Sequence, residues 1–227
     1  MSILITGAAV GLGAAIAKRL TSQYPIVIHY RKNKEKALEL QKDLGAEIIY
    51  GDFSTQENVA LFMEEYLERF PHTKAVIHNV GNYFLGSYLN TDIKNIQDLM
   101  QTNFYAPLFI TQKLIPSLKK TKGSIITIGF CGLSILANTY FSAYHLSKLS
   151  LLQLTKSLAK ELAPFQVRAN MISPGYLEVT HALPKKMEDI PMKRLGKLKE
   201  VAHIVEFLLE NEYVTAQNID VAGGLKL

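Results

Sequence analysis

The chain carries one cysteine, Cys131, in 227 residues. A lone thiol cannot close an internal disulfide, so the sequence suits a reducing cytoplasm better than an oxidising compartment. Long apolar runs are missing too: none reaches the ~20 residues that a membrane-spanning helix needs. The strand-like run Ser2-Ile3-Leu4-Ile5-Thr6 starts directly after Met1, leaving no room for a signal or transit peptide. Nor is charge of one sign gathered in a block. Twenty-five Lys and Arg against 20 Asp and Glu leave a net +5, and the lysines are scattered over helix-like segments, which argues against a nucleic-acid surface. Repeats, low-complexity segments and linkers are absent, and no metal site is expected.

What is there is the composition of a soluble globular protein, 48% hydrophobic and 20% charged, in a chain sized for one α/β domain spanning 1–227. Strand-like runs at 2–6, 25–30, 46–50, 74–78, 123–129, 166–172 and 217–221 alternate with helix-like segments near 11–23, 34–44, 55–70, 92–120, 141–163 and 198–211. That alternation predicts βαβ units and a doubly wound α/β fold, a parallel sheet with helices on both faces. Continuous apolar runs such as Ile125-Ile126-Thr127-Ile128 suit strands buried on both sides. Pro164 should end the helix at 141–163. One long irregular stretch, 173–196, contains Pro174, Gly175, Pro184 and Pro191, and loops of that length in a compact domain usually serve function.

The first strand runs into Thr6-Gly7-Ala8-Ala9-Val10-Gly11-Leu12-Gly13 and then a helix. Glycines in such a turn let backbone amides approach a pyrophosphate and let helix pack closely on strand. The phosphates then meet a helix N-terminus, whose unpaired N–H groups and dipole favour anions. Gly7, Val10, Gly11, Leu12 and Gly13 are therefore candidate cofactor contacts. The second strand ends Ile28-His29-Tyr30-Arg31-Lys32, with no acidic residue before Glu35. A carboxylate there would select NAD, whereas a cation suits the 2′-phosphate of NADP(H). Arg31 is the stronger candidate because its guanidinium forks onto phosphate, with Tyr30 and Lys32 beside it. Asp52, after the third strand, is placed to accept from the adenine amino group, with Phe53 as its neighbour.

Tyr144 and Lys148 lie four residues apart in a helix-forming stretch, hence on one face. A neighbouring ammonium favours a phenolate and is expected to lower the phenol from its usual ~10. Such a tyrosine can protonate a substrate oxygen or nitrogen while a reductant delivers hydride.

With these pieces assembled, the chain resembles the short-chain dehydrogenase/reductases over almost its whole length. Thr6-Gly7 to Gly13 resembles that family's glycine turn, and His78-Asn79-Val80-Gly81 its Asn-Asn-Ala-Gly segment, adding Asn79 and Gly81 to the cofactor contacts. Asn103 sits where the family keeps a helix-kinking Asn that holds a water in the proton relay. Tyr144 to Lys148 resembles the catalytic pair. Arg168-Ala169-Asn170 and Ser173-Pro174-Gly175 are similar to the segment whose backbone meets the nicotinamide, which brings in Pro174 and Gly175. The resemblance implies a seven-stranded Rossmann-type sheet and a homo-oligomer, commonly a tetramer, paired through the helices near 92–120 and 141–163.

One departure stands out. The family usually places a Ser about thirteen residues before the Tyr; counting back lands on Cys131, aligning forward from the strand lands on Phe130, and Ser134 fits only with an extra loop residue. A thiol is a weak donor. Thr6-Gly7-Ala8-Ala9, Leu12-Gly13, Asn82-Tyr83-Phe84 and Leu162 to Arg168 are similar to pteridine reductases, which also lack the Ser and stack a pterin under an aromatic side chain; Tyr83 would be that aromatic. That branch's Arg in the glycine turn is Gly11 here, and its Asp before the Tyr is Phe130 or Cys131. Tyr176 and His181 are candidate pocket residues, and Lys185 and Lys186 would suit an acidic carrier protein. The readings that stay open are a pterin-type imine reductase, a ketone or 3-oxoacyl thioester reductase, and a non-catalytic NADP(H) sensor.

Overall fold

A computed structural model describes residues 1–133, 139–179 and 187–225. Ser134, His181, Pro184, Lys185 and Lys186 lie outside the described residues. Seven strands, β1 (Ser2–Ile5), β2 (Ile26–Tyr30), β3 (Glu47–Tyr50), β4 (Thr73–His78), β5 (Ser124–Ile128), β6 (Arg168–Pro174) and β7 (Asn218–Val221), form one parallel sheet in the order β3-β2-β1-β4-β5-β6-β7. All seven expected strands are present with ends shifted by a residue or two. Four of them, β1, β2, β5 and β6, are buried along their whole length, as sheets covered on both faces require.

Side-chain alternation sorts the two cores. Ile3, Ile5, Ile26 and Ile28 pack with Ile16, Leu20, Leu40, Val201 and Val205 from α1 (Gly11–Leu20), α2 (Lys34–Leu44) and α7 (Leu198–Glu210). Leu4, Val27, Val76 and Ile125 face the other way, against Phe62, Tyr66, Ile110, Leu114 and Leu158. Those belong to α3 (Gln56–Arg69), α5 (Ala106–Thr121) and α6 (Ser142–Leu162). The Arg168 guanidinium, at the start of β6, donates to the carbonyls of Leu208 and Leu209 and so satisfies the end of α7.

The helix expected over 92–120 is instead two. α4 (Ile93–Met100) and α5 are separated by a wide π-type turn over Gln101–Tyr105. Pro107 explains the break: it has no N–H to give the Asn103 carbonyl four residues back, and its ring pushes that carbonyl aside. α6 ends at Leu162, and Pro164 sits in the single 3₁₀ turn that follows (Ala163–Phe165), as expected.

After β3 the chain crosses to the other side of β1 and continues with β4. The connections therefore leave β1 and β4 toward opposite faces, opening a crevice outside their carboxyl ends, where open α/β sheets bind ligands.

Candidate active site

The turn after β1 is built on glycine for two distinct reasons. Gly7 and Gly11 hold φ of +65° and +59°, left-handed values costly for other residues. At Gly13 an added Cβ would lie 2.6 Å from the Gly7 carbonyl oxygen and 2.7 Å from Ala8 Cα, so α1 could not pack this close to the strand. The turn is also laced to the end of β4. Thr6 Oγ1 accepts from the amides of Asn79 and Val80 at 3.0 and 3.1 Å, and Asn79 Nδ2 donates to the Thr6 and Gly7 carbonyls, both at 3.0 Å.

His29 makes a third tie that the sequence reading did not single out. The Gly7 amide donates to its Nδ1 at 2.9 Å, and its Nε2 donates to the Gly51 carbonyl at 3.0 Å. One nitrogen accepts and the other donates, so the ring is the neutral Nε2–H tautomer. Burial holds its pKa down to about 4, and it stacks on Phe53 with centroids 4.2 Å apart. The available signal was a polar residue inside an otherwise apolar buried strand, which demands partners.

A cavity of about 320 Å³ opens beside this turn. Of the expected cofactor contacts, Gly7, Val10, Tyr30, Arg31, Lys32, Phe53, Asn79 and Gly81 line it. His29, Gly51 and Asn82 line it as well. Gly11, Leu12, Gly13, Asp52, Pro174 and Gly175 do not, nor do Tyr144 and Lys148, also expected at the cofactor. Arg31 stands at the rim, its Nη1 3.5 Å from Asp52 Oδ1, which also accepts from the Ser54 amide at 3.0 Å. The first turn of α1 holds no carboxylate. A cradle that side chains would fill, a carboxylate-free helix start and a cationic rim fit a phosphorylated dinucleotide. Pro174 and Gly175 close β6, where the Gly175 amide bonds Val221 O at 3.0 Å.

Across the crevice, α6 presents Tyr144 and Lys148. The expected lowering of the Tyr144 phenol is not found. Burial pushes it up, and Tyr83 adds to the shift. The Lys148 amine, 3% exposed, donates to Ile128 O at 2.8 Å and stands 5.9 Å from the Tyr144 ring centroid. It is thus committed to the end of β5, and burial pulls its own pKa down to about 8. Asn103, fully buried, ties the neighbouring elements together. Its Oδ1 accepts from the Asn82 amide at 2.8 Å, while Nδ2 donates to Asn82 O and Ser147 Oγ, both at 2.9 Å. Gly81 flanks the same spot, since a Cβ there would lie 3.2 Å from Lys148 Nζ.

Aromatic rings surround Tyr144. Tyr83 meets it edge-on at 4.8 Å, Phe130 stacks on it at 5.5 Å with planes 25° apart, and Phe141 stands at 6.1 Å. Of the residues considered for the absent Ser, Phe130 stacks on Tyr144, and Ser134 lies outside the described residues. Cys131 is buried, with its amide bonded to Pro174 O at 2.9 Å. Tyr176 is partly buried and acts electrostatically on Tyr83. Among the described residues there is no group of three or more His, Cys, Asp or Glu suited to a metal ion, and no helix long and apolar enough to cross a membrane.

A doubly wound parallel sheet with a dinucleotide-type cleft and a Tyr–Lys pair on the adjoining helix defines a Rossmann-type oxidoreductase scaffold. The family model described as enoyl-(acyl carrier protein) reductase matches residues 7–226. The uncharacterized oxidoreductase YmfI of Bacillus subtilis is 30% identical, with 97% of each chain covered. The 3-oxoacyl-[acyl-carrier-protein] reductase FabG of Buchnera aphidicola is also 30% identical, over 98% of this chain and 96% of that one. Among solved structures, a blue fluorescent protein from a metagenomic library, in complex with NADPH, superposes with a TM-score of 0.92 at 24% identity, covering 100% and 98% of the two chains. Acetoin dehydrogenase from Enterobacter cloacae gives 0.89 at 23%, covering 99% and 94%. The chain belongs to the short-chain dehydrogenase/reductase family of oxidoreductases.

Proposed function

We propose that this chain is an NADPH-dependent reductase of a C=O or C=N bond in a small molecule, with Tyr144 as proton donor. The observation that carries the reading is the convergence at the strand ends of an Arg31-rimmed nucleotide cleft with the Tyr144–Lys148–Asn103 cluster. When bound, the reduced nucleotide supplies a hydride. Gly7 and the start of α1 hold the pyrophosphate, with Val10, Gly11, Leu12 and Gly13 shaping that turn. Arg31 and Lys32 meet the 2′-phosphate, while Tyr30, Asp52 and Phe53 bound the adenine end. Asn79, Gly81, Pro174 and Gly175 frame the nicotinamide end, where the Lys148 ammonium grips the ribose. Asn103 positions a water that relays protons from solvent.

Arg31→Ala tests the nucleotide assignment. Loss of a charge-assisted phosphate contact, worth roughly 1.5–3 kcal/mol, raises the KM for NADPH about 10–100-fold and leaves that for NADH within about twofold. Equal effects on both nucleotides would remove Arg31 from the 2′-phosphate site.

A 3-oxoacyl thioester is favoured as substrate by relatives named as 3-oxoacyl reductases, and a conjugated C=N or C=O, as in a pterin, by Phe130 lying against Tyr144. Oxidation of NADPH against dihydropterins, quinonoid pterins, 3-oxoacyl thioesters and diketones, with NADH in parallel, separates them. Steady NADPH binding without oxidation of any of these would make the chain a sensor. We also infer a cytoplasmic homo-oligomer, a dimer or tetramer, paired through α4, α5 and α6. Tyr105, Leu146, Leu149 and Phe165 supply exposed apolar surface on or beside those helices. Light scattering at micromolar concentration measures the assembly.

A further inference from the structure

We propose that His29 is a positioning residue for the dinucleotide, its ring holding the pyrophosphate turn in register with the end of β3 by accepting from the Gly7 amide. The inference rests on the nucleotide-binding part of the proposed function. It adds a side chain whose two ring nitrogens are both engaged inside the protein and which acts on the ligand through its neighbours.

Two successive amides of the turn end on this one residue. The Gly7 N–H donates to the side-chain Nδ1 and the Ala8 N–H to the His29 carbonyl, both at 2.9 Å. With those amides engaged, a phosphate is met by the start of α1, where the N–H groups of Gly11, Leu12 and Gly13 have no partner within the helix. Where that first turn stands depends on how the chain leaves β1. Gly7 makes the exit in left-handed backbone, at φ +65°, and glycine is the residue least able to hold one conformation unaided. The bond to Nδ1 pins it.

The other edge of the ring fixes the opposite end. Nε2 donates to Gly51 O at 3.0 Å, the ring face lies on Phe53 with planes 6° apart, and Phe62 stands edge-on at 5.2 Å. Gly7, His29, Gly51 and Phe53 all line the same cleft. One rigid ring thus ties the turn to the adenine wall, and the fit leaves no slack. A Cβ on Gly51 would lie 2.9 Å from Nε2 and 2.7 Å from Phe62 Cδ2. A phenyl ring would keep the stack but leave the Gly7 N–H and the Gly51 carbonyl without partners. The pyrophosphate turn serves NADPH and NADH alike, so a loosened turn weakens both by the same factor, whereas Arg31 tells them apart.

The two ring nitrogens can be replaced one at a time. His29→Asn puts an amide oxygen where Nδ1 stood and gives up the Gly51 bond. His29→Gln reaches the Gly51 carbonyl with its amide N–H and gives up the Gly7 acceptor. Both lose the stacked ring, so packing alone predicts similar losses. Dissociation constants for NADPH and NADH are measured by isothermal titration calorimetry, without turnover, alongside melting temperatures. His29→Asn should stay within about threefold of wild type, while His29→Gln weakens both nucleotides about tenfold or more, and by the same factor. His29→Phe, with the stack kept, should follow His29→Gln, and it supplies the loss of the acceptor should the Gln variant fail to fold. Equal losses in the Asn and Gln variants, or a Phe variant that binds as well as wild type, would make His29 a packing residue and overturn the proposal. A wild-type chain that binds neither nucleotide would instead sink the nucleotide-binding reading itself, and this inference with it.

Discussion

Tyr144→Phe is expected to lower turnover by about 10³-fold or more while NADPH binding stays within about twofold. The change removes one oxygen and keeps the ring that packs against Tyr83, Phe130 and Phe141. Folding and the nucleotide cleft on the far side of the crevice are therefore spared. General acid catalysis by a positioned side chain contributes typically about 10²–10⁴, and Phe130, stacked on Tyr144, brings no hydroxyl of its own. Because burial pushes this phenol up, the proton-bearing form persists through neutral and mildly alkaline pH. A variant that keeps a tenth of wild-type activity, with unchanged NADPH titration, would remove Tyr144 from the proton-donor role.

Lys148→Met should produce two opposite changes, lost catalysis and gained stability. The wild-type amine is 3% exposed and its pKa lies at about 8, below the ordinary 10.5, because burial disfavours the charged form. Between those values the unfolded chain binds more protons than the folded one, so this group makes stability rise with pH from about 8 to 10.5. Below pH 8 it imposes a constant cost on the order of 3 kcal/mol. Methionine keeps the length and apolar stem without the charge. At pH 7 the variant should melt roughly 5–10 °C higher, taking about 2–4 °C per kcal/mol for a chain of this size, and the rise between pH 8 and 10.5 should flatten. Turnover should fall at least about 10²-fold, since the proposed ribose contact of the ammonium is lost. A lower melting temperature at pH 7 would mean that the Ile128 bond outweighs the desolvation.

The sheet was legible in the sequence because its strands are short apolar runs between helical segments, and local pattern suffices for that. The split at Gln101–Tyr105 was written there too, in Pro107 and in the position of Asn103, but apolar periodicity on both sides made 92–120 read as one helix. The role of His29 is hidden for a related reason: its partners, Gly7 and Gly51, are 22 residues away in either direction, and no local spacing announces them. The glycine turn, Arg31 and the Tyr144–Lys148 pair could be placed from spacing and chain order. Where the Lys148 amine points could not, since it depends on Ile128 at the end of β5. Likewise the choice between Phe130 and Cys131 turns on the direction the chain takes after β5, a matter of packing against α6.

The histidine that bridges Gly7 and Gly51 gives the edge of the sheet a stake in ligand capture. β3 is the outermost strand, paired on one side only, and fraying there would release Gly51 and unseat the ring that receives the Gly7 amide. Saturation with the dinucleotide should therefore quieten this margin from a distance. Deuterium uptake at Glu47–Tyr50 should slow several-fold on loading, although none of these residues lines the cleft.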